Sequence, residues 1–339
     1  MKFRMPAEWE PHEGTWIAWP HERTDWPGKF APIPWIYCDI VRHLSRTEGV
    51  HILVNDAEAA SKASRMLRSS HCTMDAVDFL ECPTDRSWTR DYCPTFVREA
   101  NSGQVTILDW HFNGWAKYDN SQTDDAVPAK VAEHLNLARC EPTYQGRRIV
   151  LEGGSIDVNG AGVMLTTEEC LLSPIQARNP GLEKRDLEAI FAEYLGCRRT
   201  VWLKDGIAGD DTHGHIDDLA RFTDANTIAI AVENDPNQAN YEPTQENLAI
   251  LRSTDFRVVP LPMPEPVYFR GQLLPASYAN FYIANQLVLV PTFNDVKDRQ
   301  ALNILADLFP DRQVIGIPCR DLVLGLGTLH CMTQQQIAP

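Results

Sequence analysis

The sequence predicts a mixed α/β fold assembled from repeated units around an axis. Three observations carry that prediction. Short apolar, strand-like runs alternate with amphipathic helical stretches along the chain. Hairpin-like segments open at Asp91, Glu152, His215 and Ser277, in steps of 61, 63 and 62 residues. No low-complexity segment, long charge block or flexible linker interrupts the pattern, so residues 1–339 are expected to form a single domain.

Each element follows from local chemistry. Asp91–Arg98 leads to Asn101-Ser-Gly, Glu152–Val158 to Asn159-Gly, His215–Phe222 to Asp224-Ala-Asn, and Ser277–Ala284 to Asn285. These turn residues tolerate the tight reversal of a hairpin. An apolar strand follows each, as in Val163–Thr166, Ile228–Val232 and Leu287–Pro291. Helices are expected over Asp124–Leu137, Leu182–Leu195 and Asp295–Leu308. The second places Leu187, Ile190, Phe191 and Leu195 on one face, with Tyr194 nearby. A unit near His12-Glu-Gly-Thr-Trp and one ending at Cys331 bring the number to five. Equivalent points on units around an axis converge on its centre.

Composition narrows the function. The chain is 44% hydrophobic and 23% charged, an ordinary globular balance. It has no apolar run long enough to span a membrane, and its first residues lack the apolar core of a signal peptide. A cytoplasmic location is expected. Nine irregularly spaced cysteines with no C-x-x-C pair fit reduced thiols, one of them reactive. A net charge of −15 disfavours nucleic acid and anionic membrane surfaces and suits a cationic small molecule.

The residues at matching points of the units make a chemical set. Cys331 follows Gly325-Leu-Gly-Thr-Leu-His, where the glycines allow close backbone approach and unusual dihedrals. Alone, such a cysteine reads as a small core residue. In Thr212-His-Gly-His-Ile-Asp-Asp218, an extended strand puts His215 and Asp217 on one face. A histidine there serves as acid or base, and a carboxylate binds a cation beside it. Asp91 and Trp88 offer an edge and a face to a planar guanidinium, and Glu152 adds a further acid. These residues fit a thiolate attacking the carbon of a cationic planar group.

With these motifs assembled, the sequence resembles the agmatine deiminase and bacterial-type peptidylarginine deiminase family. The resemblance runs from Met5 to Gln335. It rests on Met5-Pro-Ala-Glu-Trp-Glu-Pro-His-Glu-Gly-Thr-Trp16, Trp88-Thr-Arg-Asp91, Phe112-Asn-Gly-Trp115, Glu152-Gly-Gly154, His213-Gly-His-Ile-Asp217 and His330-Cys-Met-Thr-Gln-Gln335. It implies a five-bladed pseudo-symmetric α/β propeller, the pentein fold of ββαβ units. It also implies hydrolysis of agmatine to N-carbamoylputrescine and ammonia through a covalent thiouronium, a step of putrescine biosynthesis. Cys331 would be the nucleophile and His215 the acid and base. Asp91 and Asp217 would hold the guanidinium, Glu152 would orient His215, and Trp88 would form a wall. No metal or organic cofactor is required.

Three departures touch the substrate's far end: Asp210-Asp-Thr212 for Asp-Glu-Thr, Gly325-Leu-Gly-Thr-Leu329 for Gly-Gly-Gly-Asn-Ile, and Ala116-Lys117 for a glycine pair. Asp211, shorter than the usual glutamate, is the candidate partner for agmatine's distal ammonium. Peptidylarginine deiminase or another guanidine-modifying hydrolase stands as the alternative. More distant are a metallohydrolase built on His213-Gly-His-Ile-Asp217 and a propeller that only binds. The sequence leaves a homo-oligomer open.

Overall fold

A computed structural model describes residues 2–339 of the chain. Five sheets of three or four strands repeat one pattern. A first strand runs antiparallel to a second, and a helix then carries the chain to a third strand parallel to the second. The clearest example is Ala220–Asp224, Thr227–Val232, the helix Tyr241–Arg252 and Arg257–Pro262. Thr227–Val232 is buried along its whole length, which is why it reads as a continuous apolar run rather than an alternating one. The same order recurs with Asp157–Val158, Val163–Thr167 and Arg199–Leu203, and again with Tyr282–Ile283, Leu287–Thr292 and Gln313–Pro318. Thr95–Glu99, Val105–Leu108 and Ala138–Cys140 form another, with Phe3–Arg4 added at its edge.

The remaining sheet joins the two ends of the chain. Gln334–Ile337 lies antiparallel to His12–Ala18, with Thr15 opposite Gln335, and Trp16 Nε1 donates to Gln336 Oε1 at 2.9 Å. Gly49–Val54 and Val77–Glu81 complete that sheet in parallel. Ile33, Tyr37, Ile40, Val41 and Leu44 of the helix Ile33–Leu44 are buried beneath it.

The four hairpins lie where the sequence places them, and the strands agree within a residue. The helices are trimmed by local chemistry. Pro128 lacks an N–H, so a short turn at Gln122–Asp125 gives way to a separate helix, Val127–Leu135, which ends on left-handed Asn136 (φ 51°). Asp298 Oδ2 accepts from the N–H of Asp295, which holds residues 295–297 in a turn and starts the helix at Asp298. Lys184–Ile190 begins in a capping box of Glu183 and Asp186, then widens to a π turn at Phe191–Leu195 that Gly196 (φ 74°) ends.

One expectation is overturned. His215 and Asp217 do not lie on an extended strand. Asp210 Oδ2 accepts the N–H groups of Gly214 at 2.8 Å and His215 at 3.1 Å. His213 (φ 64°) and Gly214 (φ 90°) take left-handed dihedrals that a strand excludes. Asp217 falls in the tight turn Ile216–Asp218, just ahead of the strand Ala220–Asp224. That placement is general: a turn precedes the first strand of each repeating unit, at Thr89–Tyr92, Gly153–Ser155, Ile216–Asp218, Tyr278–Ala279 and Leu329–Met332.

Candidate active site

These five turns, with the residues that flank them, place Asp91, Glu152, His215 with Asp217, Asn280 and Cys331, and hydrogen bonds knit them together. The Gly154 N–H donates to Asp91 Oδ1 at 3.0 Å, and Trp115 Nε1 donates to Asp91 Oδ2 at 2.8 Å. His215 Nδ1 lies 3.8 Å from Asp91 Oδ1. Cys331 Sγ lies 3.7 Å from Asp217 Oδ2, and the same oxygen accepts from His330 Nδ1 at 2.7 Å. Gly154 is indispensable to this packing, because a Cβ there would stand 2.5 Å from His215 Nδ1 and 2.8 Å from Asp91 Oδ1.

A cavity of about 350 Å³ opens onto this cluster, a size suited to a small ligand. Trp88, Asp91, Asp211 and Cys331 line it, as does Trp115. Glu152, His215 and Asp217 are fully buried behind these residues. The loop Gly325–Gly327 packs against Trp88: a Cβ on Gly325 would come within 2.7 Å of that ring, and one on Gly327 within 3.0 Å of the Cys331 Cβ. The glycines therefore supply space. The unusual dihedral expected of them falls instead on Leu326, at φ 69°.

The electrostatics divide the acids by role. Burial pushes the Asp91 carboxyl up to about 6, with Asp217 and Glu152 adding to it, while His215 and the Trp115 N–H oppose. Burial also acts to raise Asp217, but His330, His215 and Arg221 outweigh it and hold that carboxyl below its usual range. Arg178 does the same for Glu152, through an Nε–Oε1 bond of 2.9 Å. Glu152 thus pairs with Arg178, and it meets His215 through charge and proximity without a hydrogen bond. Burial works against the imidazolium of His215, yet Asp91, Cys170 and Asp217 together raise it well above the ordinary value. The Cys331 thiol is pushed well up by burial, then by Asp217, Asp218 and Asp91.

Among the described residues, three buried polar atoms of this cluster have no hydrogen-bond partner: Asp217 Oδ1, Glu152 Oε2 and His215 Nε2. Two are carboxylate oxygens, which only accept, so the site is complementary to a ligand rich in N–H donors. His213 does not share it. Its Nε2 reaches Ser173 Oγ at 3.1 Å and its Nδ1 lies 3.6 Å from Glu169, so His213, His215 and Asp217 do not form one ligand set. Asp211 lines the cavity with its charge already offset, bonded to Lys117 Nζ through Oδ1 and to the Tyr118 hydroxyl at 2.6 Å through Oδ2.

Several residues of the cluster went unread in the sequence. Cys170 offers its sulfur within 4.8 Å of donor atoms of Glu152 and His215. His330 is clamped between Asp217 and Glu8 Oε2, the latter at 2.8 Å, and Glu8 also pairs with Arg90 and Arg221. Asn280 donates to Cys331 Sγ at 3.1 Å. The signal for Asn280 was partial, since it lies three residues after Ser277, the point equivalent to Asp91, Glu152 and His215.

Comparison with known proteins identifies relatives over nearly the whole chain. The sequence is 33% identical to an agmatine deiminase of Ectopseudomonas mendocina, covering 99% of this chain and 96% of that protein. The fold superposes on a substrate-bound Cys-to-Ser form of C. jejuni agmatine deiminase with a TM-score of 0.89 and 32% identity, covering 100% and 97% of the two chains. An Enterococcus faecalis agmatine deiminase gives 0.88 and 31%, covering 99% and 96%. Residues 4–336 match the Porphyromonas-type peptidyl-arginine deiminase family, and with that match the chain belongs to it.

Proposed function

We propose that this protein is an agmatine deiminase, a hydrolase of amidine C–N bonds that converts agmatine and water to N-carbamoylputrescine and ammonia. The observation that carries the reading is the pair of unpartnered buried carboxylate oxygens, Asp217 Oδ1 and Glu152 Oε2, in the cluster that holds the Cys331 sulfur. A guanidinium answers them with a planar fan of N–H donors and a positive charge. The relatives named agmatine deiminase support the choice of substrate, and a cavity of about 350 Å³ is of a size for a small guanidine.

In this mechanism Asp217 and Glu152 meet the guanidinium nitrogens with their free oxygens, Asp91 adds a third carboxylate beside them, and Trp88 covers a face. The bound cation offsets the carboxylates that keep the Cys331 thiol protonated, so the thiol releases its proton to solvent and the thiolate attacks the guanidinium carbon. His215 protonates the departing nitrogen, which leaves as ammonia, and a thiouronium on Cys331 remains. The neutral imidazole then takes a proton from water as its oxygen bonds to the same carbon. The C–S bond breaks, the added hydroxyl gives its proton to solvent, and the ureido product leaves a Cys331 thiolate that regains a proton from solvent. We further infer one domain of five units around a central axis, which the recurring sheet order and the end-joining sheet support.

Ammonia release from agmatine, free arginine, a peptidyl-arginine and a methylated arginine, run side by side, tests the assignment. Agmatine should give the highest kcat/KM. Hydrolysis of none of the four would refute the substrate reading, and a preference for the peptide would move it to the protein-directed activity.

A further inference from the structure

We infer that Asn280 is a catalytic residue, one whose side-chain amide donates to the Cys331 sulfur and stabilises its thiolate. The amide Nδ2 stands 3.1 Å from Sγ, and both residues are buried. An amide can be turned end for end, so its orientation has to be argued. Here the oxygen is identified by its donors. Asn280 Oδ1 faces the backbone N–H of His330 at 3.0 Å and that of Cys331 at 3.5 Å, and a peptide N–H can only donate. The Thr328 hydroxyl donates to the same oxygen at 2.7 Å. Rotating the amide would set its NH₂ against these donors. The other end, pointing at the sulfur, is therefore the NH₂ group.

The chemistry explains why such a donor is needed. Asp91, Asp217 and Asp218 all face the sulfur, and each opposes a negative charge on it. Substrate neutralises part of that field when it binds. When the C–S bond of the thiouronium breaks, however, the charge returns to sulfur in a buried, carboxylate-lined place. A fixed neutral donor stabilises the thiolate at both moments and costs no reorganisation, because three donors already lock its oxygen. Position in the fold agrees: Asn280 directly follows the turn that opens its repeating unit, Glu152 directly precedes the corresponding turn of its own, and Asp91 and Asp217 lie on theirs.

The inference rests on Cys331 being the nucleophile of the proposed reaction, and the deciding arm of its test needs no substrate. Asn280→Asp keeps the size of the side chain and an oxygen for the backbone donors, but replaces the NH₂ with an acceptor. Asn280→Ala removes the side chain, while the His330 N–H keeps its 3.2 Å bond to the Asn280 backbone carbonyl. The reading is the rate of iodoacetamide modification at Cys331 across pH, located by peptide mass spectrometry, beside kcat and KM for agmatine. Both variants should alkylate roughly tenfold to a hundredfold more slowly at neutral pH, with the profile displaced to alkaline pH by about one to two units. The value of kcat should fall by a similar factor while KM moves less than about threefold. A wild-type alkylation profile in either variant, with near-ultraviolet circular dichroism unchanged, overturns the inference. Slowed alkylation in a protein whose wild type does not hydrolyse agmatine would leave the inference standing and refute the substrate reading instead.

Discussion

Replacing Lys117 with alanine should tighten the binding of agmatine, because in the wild-type protein Lys117 occupies the carboxylate proposed for agmatine's distal ammonium. Asp211 Oδ1 bonds Lys117 Nζ at the cavity mouth, where the two side chains are 39% and 21% exposed. An ion pair so placed is worth up to about 1 kcal/mol, since water and salt screen it. Agmatine must displace that pair or bind beside it. Removing the lysine therefore returns at most the same amount, about a fivefold fall in KM. The Tyr118 hydroxyl, at 2.6 Å from Oδ2, keeps Asp211 in place in the variant. The assay is steady-state ammonia release from agmatine and from butylguanidine, which has the same guanidinium and no distal amine. KM for agmatine should fall roughly twofold to fivefold with kcat unchanged, and the advantage should shrink as ionic strength rises. Butylguanidine should show none of the amine-specific gain. A higher KM for agmatine, or an equal improvement for both compounds, would refute the reasoning and remove Asp211 from substrate recognition.

Three further outcomes follow from the geometry. Asp91, pushed up to about 6 by burial first, is protonated below that pH and charged above it. The value of kcat/KM should then fall roughly tenfold per pH unit on the acid side of 6, and Trp115→Phe, which removes a donor to the ionised form, should move this limb to higher pH. Gly154→Ala forces a Cβ to 2.5 Å from His215 Nδ1, so kcat should drop about a hundredfold or more, and a rate within a few-fold of wild type would show that the turn yields freely. His330→Leu takes from the buried Asp217 its charged hydrogen-bond donor and leaves Glu8 to Arg90 and Arg221 alone, and thermal or denaturant unfolding should register a loss of about 3 kcal/mol. An unchanged melting curve would contradict the clamp.

Much of the architecture was legible because it repeats. Each hairpin opens on a chemically distinctive turn, and strands buried on both faces announce themselves as apolar runs such as Ile228–Val232. Spacing could not reveal the conformation around His215. A single carboxylate, Asp210, gathers backbone N–H groups there and bends the chain out of the extended form that an alternating pattern suggests. Nor could it reveal partnerships made across the fold. Asn280 meets Cys331 from 51 positions away, and Glu8 reaches His330 across 322. Asp211 illustrates a different limit: its place at the cavity was readable, whereas the Lys117 that offsets it depends on how two loops meet.

The central claim is that a single sulfur, that of Cys331, carries the guanidinium carbon between ammonia release and hydrolysis. Rapid acid quenching of the enzyme with agmatine, followed by intact and peptide mass spectrometry, tests it most directly, with His215→Ala included to slow breakdown of the intermediate. The account predicts an adduct of agmatine less ammonia on the peptide containing Cys331, and none in Cys331→Ser. Steady ammonia release by the Cys331→Ser protein, or an adduct on any of the other eight cysteines, would contradict it.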